Sequence, residues 1–404
     1  MWLILSQFIL MGSGLIINLF VSDLFSIEIL GLFNQSFNYF LLIGILSSFG
    51  LGSAVTQKVA IALNSETESK LLSTGLMNIL SFSIIAIILL IPLIHFFPNI
   101  ISSNELAIAL MPIIISIPFY NLNRVFVSYY TGKKDQFKFG LIRILRSLFV
   151  FVFIIIAGYI FKSQKFLFWS FFLAEFILLA VNIYLNLNIL NFKFDITLSK
   201  ELRSFGFKSY ISELFATITD KLDLIILGYF LSNYDCGIYS ILIFFIKSLY
   251  VFPGIIQQNI SPLIAENWRN NKITEFNIKI RPVKKITFWI LILKTIFIII
   301  AYFLLIERFN FKMIQDLTYL SIGLLGTFPM AYVSWAGSAL IMTNQLTLNF
   351  YRTLLLIILA FISTTLFTFA FGLTGAFVAV AFNGIIGYIL YVNFIKKYTG
   401  LSVF

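Results

Sequence analysis

The sequence has 404 residues and a net charge of +11, with 60% hydrophobic residues and only 11% charged ones. A water-soluble chain carries about 25% charged residues, whereas here the 48 Phe residues alone outnumber the 28 Lys/Arg and 17 Asp/Glu residues together. This composition excludes a soluble enzyme, a nucleic-acid-binding domain and a disordered chain, and the single Cys and single His exclude a disulfide and Cys- or His-rich metal sites.

Twelve apolar runs are long enough to cross a membrane, because a helix needs about 20 residues to cross a hydrocarbon core of about 30 Å. The second run is long enough to include an interfacial turn, and the tight link Gly372-Leu373-Thr374-Gly375 predicts that the last two runs form a hairpin. We therefore expect an all-α polytopic membrane protein with about 12 transmembrane helices. The runs lie at residues 2–21, 27–57, 71–97, 105–130, 141–161, 166–190, 209–231, 237–265, 286–306, 317–343, 353–371 and 374–395.

The basic residues between these runs predict the orientation of the chain. The loops after the even-numbered helices and the C-terminal tail hold 20 of the 28 Lys and Arg residues, when Arg143 and Arg146 at the start of the fifth run are counted with the preceding loop. The loops after the odd-numbered helices hold 4, which are Lys162, Lys165, Arg308 and Lys312. Because Lys and Arg collect on cytoplasmic loops, we expect both termini in the cytoplasm. The loops are also too short for an additional catalytic domain, and the sequence contains no GxxxxGK[ST] motif.

The two halves of the chain show signs of duplication. Leu30-Gly31-Leu32-Phe33-Asn34 follows the first run, and Cys236-Gly237-Ile238-Tyr239-Ser240 follows the seventh. Matching hydropathy favours duplication, although chance similarity in a low-complexity apolar sequence is the alternative. Six helices per half predict two pseudo-symmetric six-helix bundles, residues 1–200 and 201–404, related by an axis along the membrane normal.

Apart from charges near the start of a run, eight charged residues fall inside the predicted spans, where a charge costs roughly 2.5–3.5 kcal/mol at the bilayer centre. In helix 7, Glu213 is followed by Thr217, Asp220 and Asp223 at steps of four, three and three residues. This spacing places the four side chains on one face of the helix. Such charges either line a hydrated cavity for an anionic substrate and a coupling ion, or form an internal salt-bridge network that fixes helix packing. The cations are Arg124, Lys221, Lys247 and Lys294, and the acids are Glu175, Glu213, Asp220 and Asp223.

The positions of Arg124 and Lys221 limit where their side chains can point. Arg124 lies eight residues before Gly132, so its side chain either faces the cavity or reaches the inner membrane surface. Lys221 is turned roughly 100° away from Asp220 around the helix and is able to pair with another helix.

Short motifs in both halves resemble a known family. The segment from Thr219 to Leu231, followed by Gly237-Ile238-Tyr239-Ser240, is similar to the central signature of bacterial oligosaccharide-lipid flippases of the Wzx, or O-antigen transporter, type. These belong to the multidrug/oligosaccharidyl-lipid/polysaccharide (MOP) exporter superfamily. Ile29-Leu30-Gly31-Leu32-Phe33 with Phe49-Gly50-Leu51-Gly52 resembles the first hairpin of the family, and Ile260-Ser261-Pro262-Leu263 the end of its helix 8.

The resemblance implies two bundles arranged in a V, as in MATE transporters, around a central and often cationic cavity. It implies alternating access that moves an undecaprenyl-pyrophosphate-linked repeat unit of O-antigen, capsule or another surface polysaccharide from the inner to the outer leaflet of the bacterial cytoplasmic membrane. Asp220, Lys221 and Asp223 correspond to the charged helix 7 motif of the family. Family members usually begin with a short polar or basic tail, whereas the first span here begins at Trp2, which a start codon further upstream would explain.

We therefore expect no cofactor, with possible coupling to H⁺ or Na⁺ through Asp220, Asp223, Glu213 or Glu175. The expected partners are the lipid-linked oligosaccharide, membrane lipids and other proteins of surface-polysaccharide assembly, and not nucleic acid. The four in-span cations would meet the pyrophosphate and any acidic sugars.

Several alternatives remain at this point. Within the transporters they are a MATE-like multidrug exporter and a flippase for lipid II or another lipid-linked substrate, although the usual lipid II flippase has fourteen helices. From another class, a membrane enzyme of glycan assembly, such as a polymerase or an acyltransferase, typically needs a large outer loop or a His inside a span. No large outer loop is predicted here, and the single His, His95, lies near the outer end of the third run, where an interfacial position is expected. A non-catalytic scaffold would leave the eight in-span charges unexplained. We expect a transporter without enzymatic activity.

Overall fold

The computed structural model describes residues 2–96, 103–191, 193–305 and 313–402, and within these ranges the regular structure is entirely helical. The ends predicted at residues 97 and 306, and two of the predicted outer-loop cations, Arg308 and Lys312, lie outside the described residues. The helices are α1 (Trp2–Leu24), α2 (Ile27–Leu46), α3 (Leu51–Ala60), α4 (Ser65–Phe96), α5 (Asn104–Gly132), α6 (Gln136–Ile155), α7 (Gln164–Leu185), α8 (Ile196–Phe230), α9 (Asn233–Lys247), α10 (Val251–Arg269), α11 (Ile273–Lys279), α12 (Arg281–Leu305), α13 (Met313–Val333), α14 (Ala339–Met342) and α15 (Leu346–Thr399).

The apolar helices confirm the predicted fold class. Among the described residues, nine helical segments are long and apolar enough to cross a membrane. They cover ten of the twelve predicted spans, because α15 contains two spans on either side of Gly372, where the backbone leaves the helical conformation. The other two predicted spans correspond to α1 and to the second part of α8. The chain is therefore a multi-pass helical membrane protein.

Glycine residues stand at two of the predicted turns. Gly50 has a φ of 67° and separates α2 from α3, which is where the second run predicts an interfacial turn. Gly372 has a φ of 58°, a conformation that residues with a Cβ rarely adopt. The Ser363 hydroxyl lies 2.7 Å from Oδ1 of Asn383. The helices on either side of Gly372 therefore pack antiparallel, as a hairpin requires.

The chain forms two compact units, of which unit 1 is Met1–Lys221. In unit 1, α5 packs against α2, α3, α4 and α7, and α6 packs against α1 and α7. The boundary lies inside α8, whereas the sequence predicted bundles of residues 1–200 and 201–404. The first part of α8 belongs to unit 1 because Leu202 is fully buried in its core, beside Leu72 and Phe126.

Unit 2 is Leu222–Phe404. In this unit α13 packs against α15, α9 and α12, and α10 packs against α14 and the short turn at Ser334–Ala336. Its core includes the fully buried side chains of Trp335, Ile264 and Ile395. Large apolar side chains remain exposed along α4, α12 and α15, as expected for helix faces in contact with lipid.

Candidate functional site

Arg124 and Glu213 form an ion pair in unit 1. Arg124 Nη2 lies 3.6 Å from Glu213 Oε2, and the two side chains are 22% and 26% exposed. Glu213 also accepts a hydrogen bond from the Ser53 hydroxyl on α3, while Nη1 of Arg124 lies 3.5 Å from the Gly44 carbonyl oxygen. The guanidinium group lies 5.8 Å from the ring centroid of Tyr120. Arg124 is thus directed at an acid from α8.

The first part of α8 makes further contacts with α2 and α3 on the same side. Lys58 Nζ donates a hydrogen bond of 2.6 Å to Glu201 Oε2, and the Tyr210 hydroxyl donates one of 3.2 Å to the carbonyl oxygen of Leu46. Between them Gly206 approaches Gly50 so closely that a Cβ on Gly206 would lie 3.2 Å from the carbonyl carbon of Gly50. We call these contacts the α8 contact face. These contacts act together with the fully buried Leu202 to hold the first part of α8 in unit 1.

Glu175 on α7 lies in a second, more deeply buried group. Its side chain is 3% exposed, and its Oε1 lies 2.6 Å from Nε of Arg146 on α6. Nη2 of Arg146 donates a hydrogen bond of 3.2 Å to Oε2, and the Asn123 amide on α5 donates one of 2.8 Å to the same oxygen. The carboxylate therefore ties together three helices of unit 1.

A chain of hydrogen bonds continues from this pair along α5 and α7. Asn182 donates 2.8 Å to Oδ1 of Asn123, Tyr130 donates 3.2 Å to Oδ1 of Asn182, and Asn186 donates 2.6 Å to the Tyr130 hydroxyl. All four side chains are buried, where hydrogen-bonded polar groups restrict how two helices can pack. Sequence reasoning missed this network, although Asn182 and Asn186 stand one helical turn apart in an apolar segment.

Arg146 corrects the sequence interpretation, which counted it among the loop cations. It lies within α6 and pairs with Glu175, so it belongs with the in-span charges. The signal was present, because the predicted run 141–161 already contains this residue and apolar residues flank it. Arg352, also counted as a loop cation, lies within α15, with its guanidinium 4.7 Å from the ring centroid of Tyr391.

Asp223 and Lys247 form the corresponding pair in unit 2. Lys247 Nζ lies 3.1 Å from Asp223 Oδ2, and the Tyr239 hydroxyl donates a hydrogen bond of 3.0 Å to the same oxygen. Asp223 is the second residue of the part of α8 that belongs to unit 2, whereas Lys247 and Tyr239 lie on α9. The predicted acid and the predicted cation are therefore neighbours here.

The remaining predicted residues are arranged differently. Lys221 Nζ lies 2.6 Å from Oδ2 of the adjacent Asp220, so it pairs within α8 itself. Lys294 on α12 donates a hydrogen bond to the backbone carbonyl oxygen of Ser248, in the short turn that separates α9 from α10. In the part of the chain that the structure describes, Lys294 has no carboxylate partner, in contrast to the three other predicted cations.

The fold and these charges define a class: a multi-pass membrane protein with paired charges inside its apolar helices. Two solved transporters have similar folds. The inward-facing conformation of a multidrug resistance MATE family transporter of the MOP superfamily is 16% identical, with a TM-score of 0.73 over 96% of this chain and 95% of that one. The lipid II flippase MurJ in an inward closed conformation is 17% identical, with a TM-score of 0.74 over 97% of this chain and 87% of that one.

The sequence profile of the polysaccharide biosynthesis protein family matches residues 1–268. The chain therefore belongs to the polysaccharide biosynthesis protein family, and it shares its fold with a MATE transporter of the MOP superfamily and with the lipid II flippase MurJ. This confirms the family and the fold that the motifs around Asp220 and Gly50 indicated. A search of curated proteins found no match.

Proposed function

We propose that this protein is a flippase that moves a lipid-linked oligosaccharide from the inner to the outer leaflet of the bacterial cytoplasmic membrane. The observation that carries this proposal is the match of residues 1–268 to the polysaccharide biosynthesis family on a fold shared with a lipid II flippase. A polyprenyl pyrophosphate carrier, such as undecaprenyl pyrophosphate, is the substrate that we expect. The protein would act by alternating access, without making or breaking covalent bonds.

Lys294 is the predicted cation best placed to bind the pyrophosphate. Its ammonium group contacts only a backbone carbonyl oxygen among the described residues, whereas Arg124, Lys221 and Lys247 each have a carboxylate within 4 Å. A phosphate oxygen forms a stronger, charge-assisted hydrogen bond than a neutral carbonyl oxygen does. The substrate would therefore replace the Ser248 carbonyl as the partner of Lys294.

Glu213 and Asp223 are the acids that we propose for coupling to H⁺ or Na⁺. A coupling carboxylate must exchange an ion with water during the cycle. Glu213 is 26% exposed and its ion pair is long, and Asp223 is 18% exposed. Glu175, at 3% exposure and with hydrogen bonds from Arg146 and Asn123, is better suited to holding α5, α6 and α7 together.

The α8 contact face holds the first part of α8 to α3 through Lys58–Glu201 and the close approach of Gly50 and Gly206. All four residues belong to unit 1, so we propose that these contacts stay closed during alternating access. The orientation predicted from the loop charges would place them toward the cytoplasm.

The test is a transport assay with the purified full chain in vesicles that contain a fluorescent polyprenyl-pyrophosphate oligosaccharide in both leaflets. Protein-dependent access of an external glycan-cleaving enzyme to the initially protected half of the substrate supports the proposal. If the protected half stays protected while an unrelated lipid-linked-oligosaccharide flippase exposes it, the proposal is wrong. Deletion of the gene should also remove the surface glycan and accumulate lipid-linked repeat units on the inner leaflet.

A MATE-like multidrug exporter is the second candidate, because a MATE transporter shares the fold at a TM-score of 0.73. The charge of the transported molecule separates the two candidates: export of cationic dyes that is independent of glycan substrates would favour it. A membrane enzyme of glycan assembly would instead produce a change in the covalent structure of the oligosaccharide, which mass spectrometry of the vesicle lipids would reveal.

A further inference from the structure

A group of exposed cations lies at the junction of α11 and α12, apart from the charged residues discussed above. Lys279 ends α11, and Arg281 and Lys285 lie in the first turns of α12. All three side chains are exposed. We call Lys279, Arg281 and Lys285 the basic patch.

The basic patch continues the lipid-facing stripe of α12. Lys285, Trp289, Leu293, Ile296 and Ile300 follow steps of four, four, three and four residues, so they lie on one face of the helix. Trp289 is 55% exposed and Leu293 is 64% exposed. Tryptophan side chains concentrate at the interface between lipid and water. The ammonium group of Lys285, one turn away from Trp289, is therefore at the level of the lipid headgroups.

The C-terminal end of unit 2 adds positive charge near the junction of α11 and α12. The Asn277 side chain accepts a hydrogen bond of 2.9 Å from the Ser402 amide, and Lys284 donates one of 2.7 Å to the Ser402 carbonyl oxygen. These bonds hold the end of the chain against α11 and α12. Lys396 and Lys397, in the last turn of α15, are exposed nearby along the chain.

Acidic residues do not neutralise this region. Residues 266–285 contain six Lys and Arg residues but only two acids, Glu266 and Glu275. In the described part of this segment neither acid forms a salt bridge with the basic patch. The region is therefore positive where it meets the headgroups.

We propose that the basic patch binds anionic phospholipids of the bilayer, with the phosphodiester oxygens as acceptors for Lys279, Arg281 and Lys285. A soluble acidic partner is less well matched, because Lys285 lies on the face that α12 presents to lipid. A Lys or Arg near a membrane surface increases the affinity for anionic lipid about fivefold. The same cations would hold the start of α12 at the membrane surface while other parts of the transporter move.

Trp289 provides the probe for a test. The full chain is reconstituted in vesicles of phosphatidylcholine with a fixed fraction of brominated phosphatidylglycerol or brominated phosphatidylcholine, because bromine quenches tryptophan fluorescence on contact. The emission difference between the wild type and Trp289→Phe isolates the signal of this residue. We expect brominated phosphatidylglycerol to quench Trp289 more strongly than brominated phosphatidylcholine does. The affinity for phosphatidylglycerol relative to phosphatidylcholine, derived from this quenching, should be at least fivefold.

The variant Lys279→Gln/Arg281→Gln/Lys285→Gln should lose this preference. The control variant Lys162→Gln/Lys165→Gln removes two exposed cations, one just before α7 and one in its first turn, and should keep it. Equal quenching by the two lipids in the wild type would overturn the proposal, as would a preference that survives the triple substitution. If the triple variant fails to reconstitute, the test is made on the wild type at low and high salt. The preference for phosphatidylglycerol must then fall at high salt, because salt screens interactions between exposed charges.

Discussion

The role of Glu175 can be tested by removing its charge while keeping its size. In Glu175→Gln the side chain still accepts a hydrogen bond from Asn123, but Arg146, now 2.6 Å from a neutral amide instead of a carboxylate, loses its counter-charge. Breaking a buried ion pair from one side costs about 3–5 kcal/mol of unfolding free energy. Because Arg146 is 25% exposed, we expect a loss near the lower value, about 3 kcal/mol.

The opposite substitution should be more damaging. Arg146→Met leaves the Glu175 carboxylate, which is only 3% exposed, without a cation, and we expect a loss nearer to 5 kcal/mol. The double variant Arg146→Met/Glu175→Gln removes both charges and should recover most of the stability. If the double variant loses no more than about 2 kcal/mol, the coupling energy of this double-mutant cycle is about 6 kcal/mol, because it is the amount by which the two single losses together exceed the loss of the double variant. Unfolding of the purified protein by a denaturing detergent measures all three changes.

Transport measured on the same variants separates the two roles. If Glu175 only holds helices together, the double variant regains transport together with stability. If Glu175 couples transport to an ion, the double variant regains stability but not transport. If each single variant loses less than about 1 kcal/mol of unfolding free energy, the reasoning from burial is refuted. Such small losses would mean that the remaining charge is solvated by water and not buried without a partner.

Three other substitutions test separate parts of the structure. Gly206→Ala should disrupt the α8 contact face, because its Cβ would lie 2.8 Å from the backbone carbonyl oxygen of Phe49; cross-linking of cysteines placed in α3 and α8 should fall at least severalfold. Lys294→Met should abolish transport without reducing the amount of protein in the membrane, while Lys294→Arg should retain part of it, and full transport by Lys294→Met would exclude the proposed phosphate contact. A cysteine at Lys165 should react with an impermeant thiol reagent from outside the cell and one at Lys396 only after the cell is opened; the reverse pattern would contradict the predicted orientation.

The sequence predicted the spans well because their signal is physical and local. A helix in lipid needs about 20 apolar residues whatever it packs against, and the predicted runs correspond to the helices of the structure. The turn before Leu51 and the hairpin at Gly372 were also readable, because glycine and chain length mark them. The sequence could not place the boundary between the compact units within α8, since this depends on which neighbours its first part contacts.

The partners of the charged residues could not be predicted in the same way. Periodicity places Glu213, Asp220 and Asp223 on one face of a helix, but it does not say that they pair with Arg124, Lys221 and Lys247 respectively. The sequence interpretation also assigned Arg146 to a loop, because the basic residues from Lys133 to Arg143 precede it and are typical of a loop. A cation with apolar neighbours on both sides inside a spanning run is better assigned to the membrane until a loop signal contradicts it.

The balance of charges bears on what the protein transports. In unit 1 Arg124, Arg146 and Lys221 each face a carboxylate, and in unit 2 Lys247 faces Asp223. A pair is far less costly in a lipid environment than a lone charge, so these pairs are stable without a ligand. Lys294 is the exception among the predicted cations of the described chain. A pyrophosphate would supply its missing counter-charge, whereas a cationic drug would be repelled. The flippase and the drug exporter therefore require opposite effects of Lys294 on substrate binding.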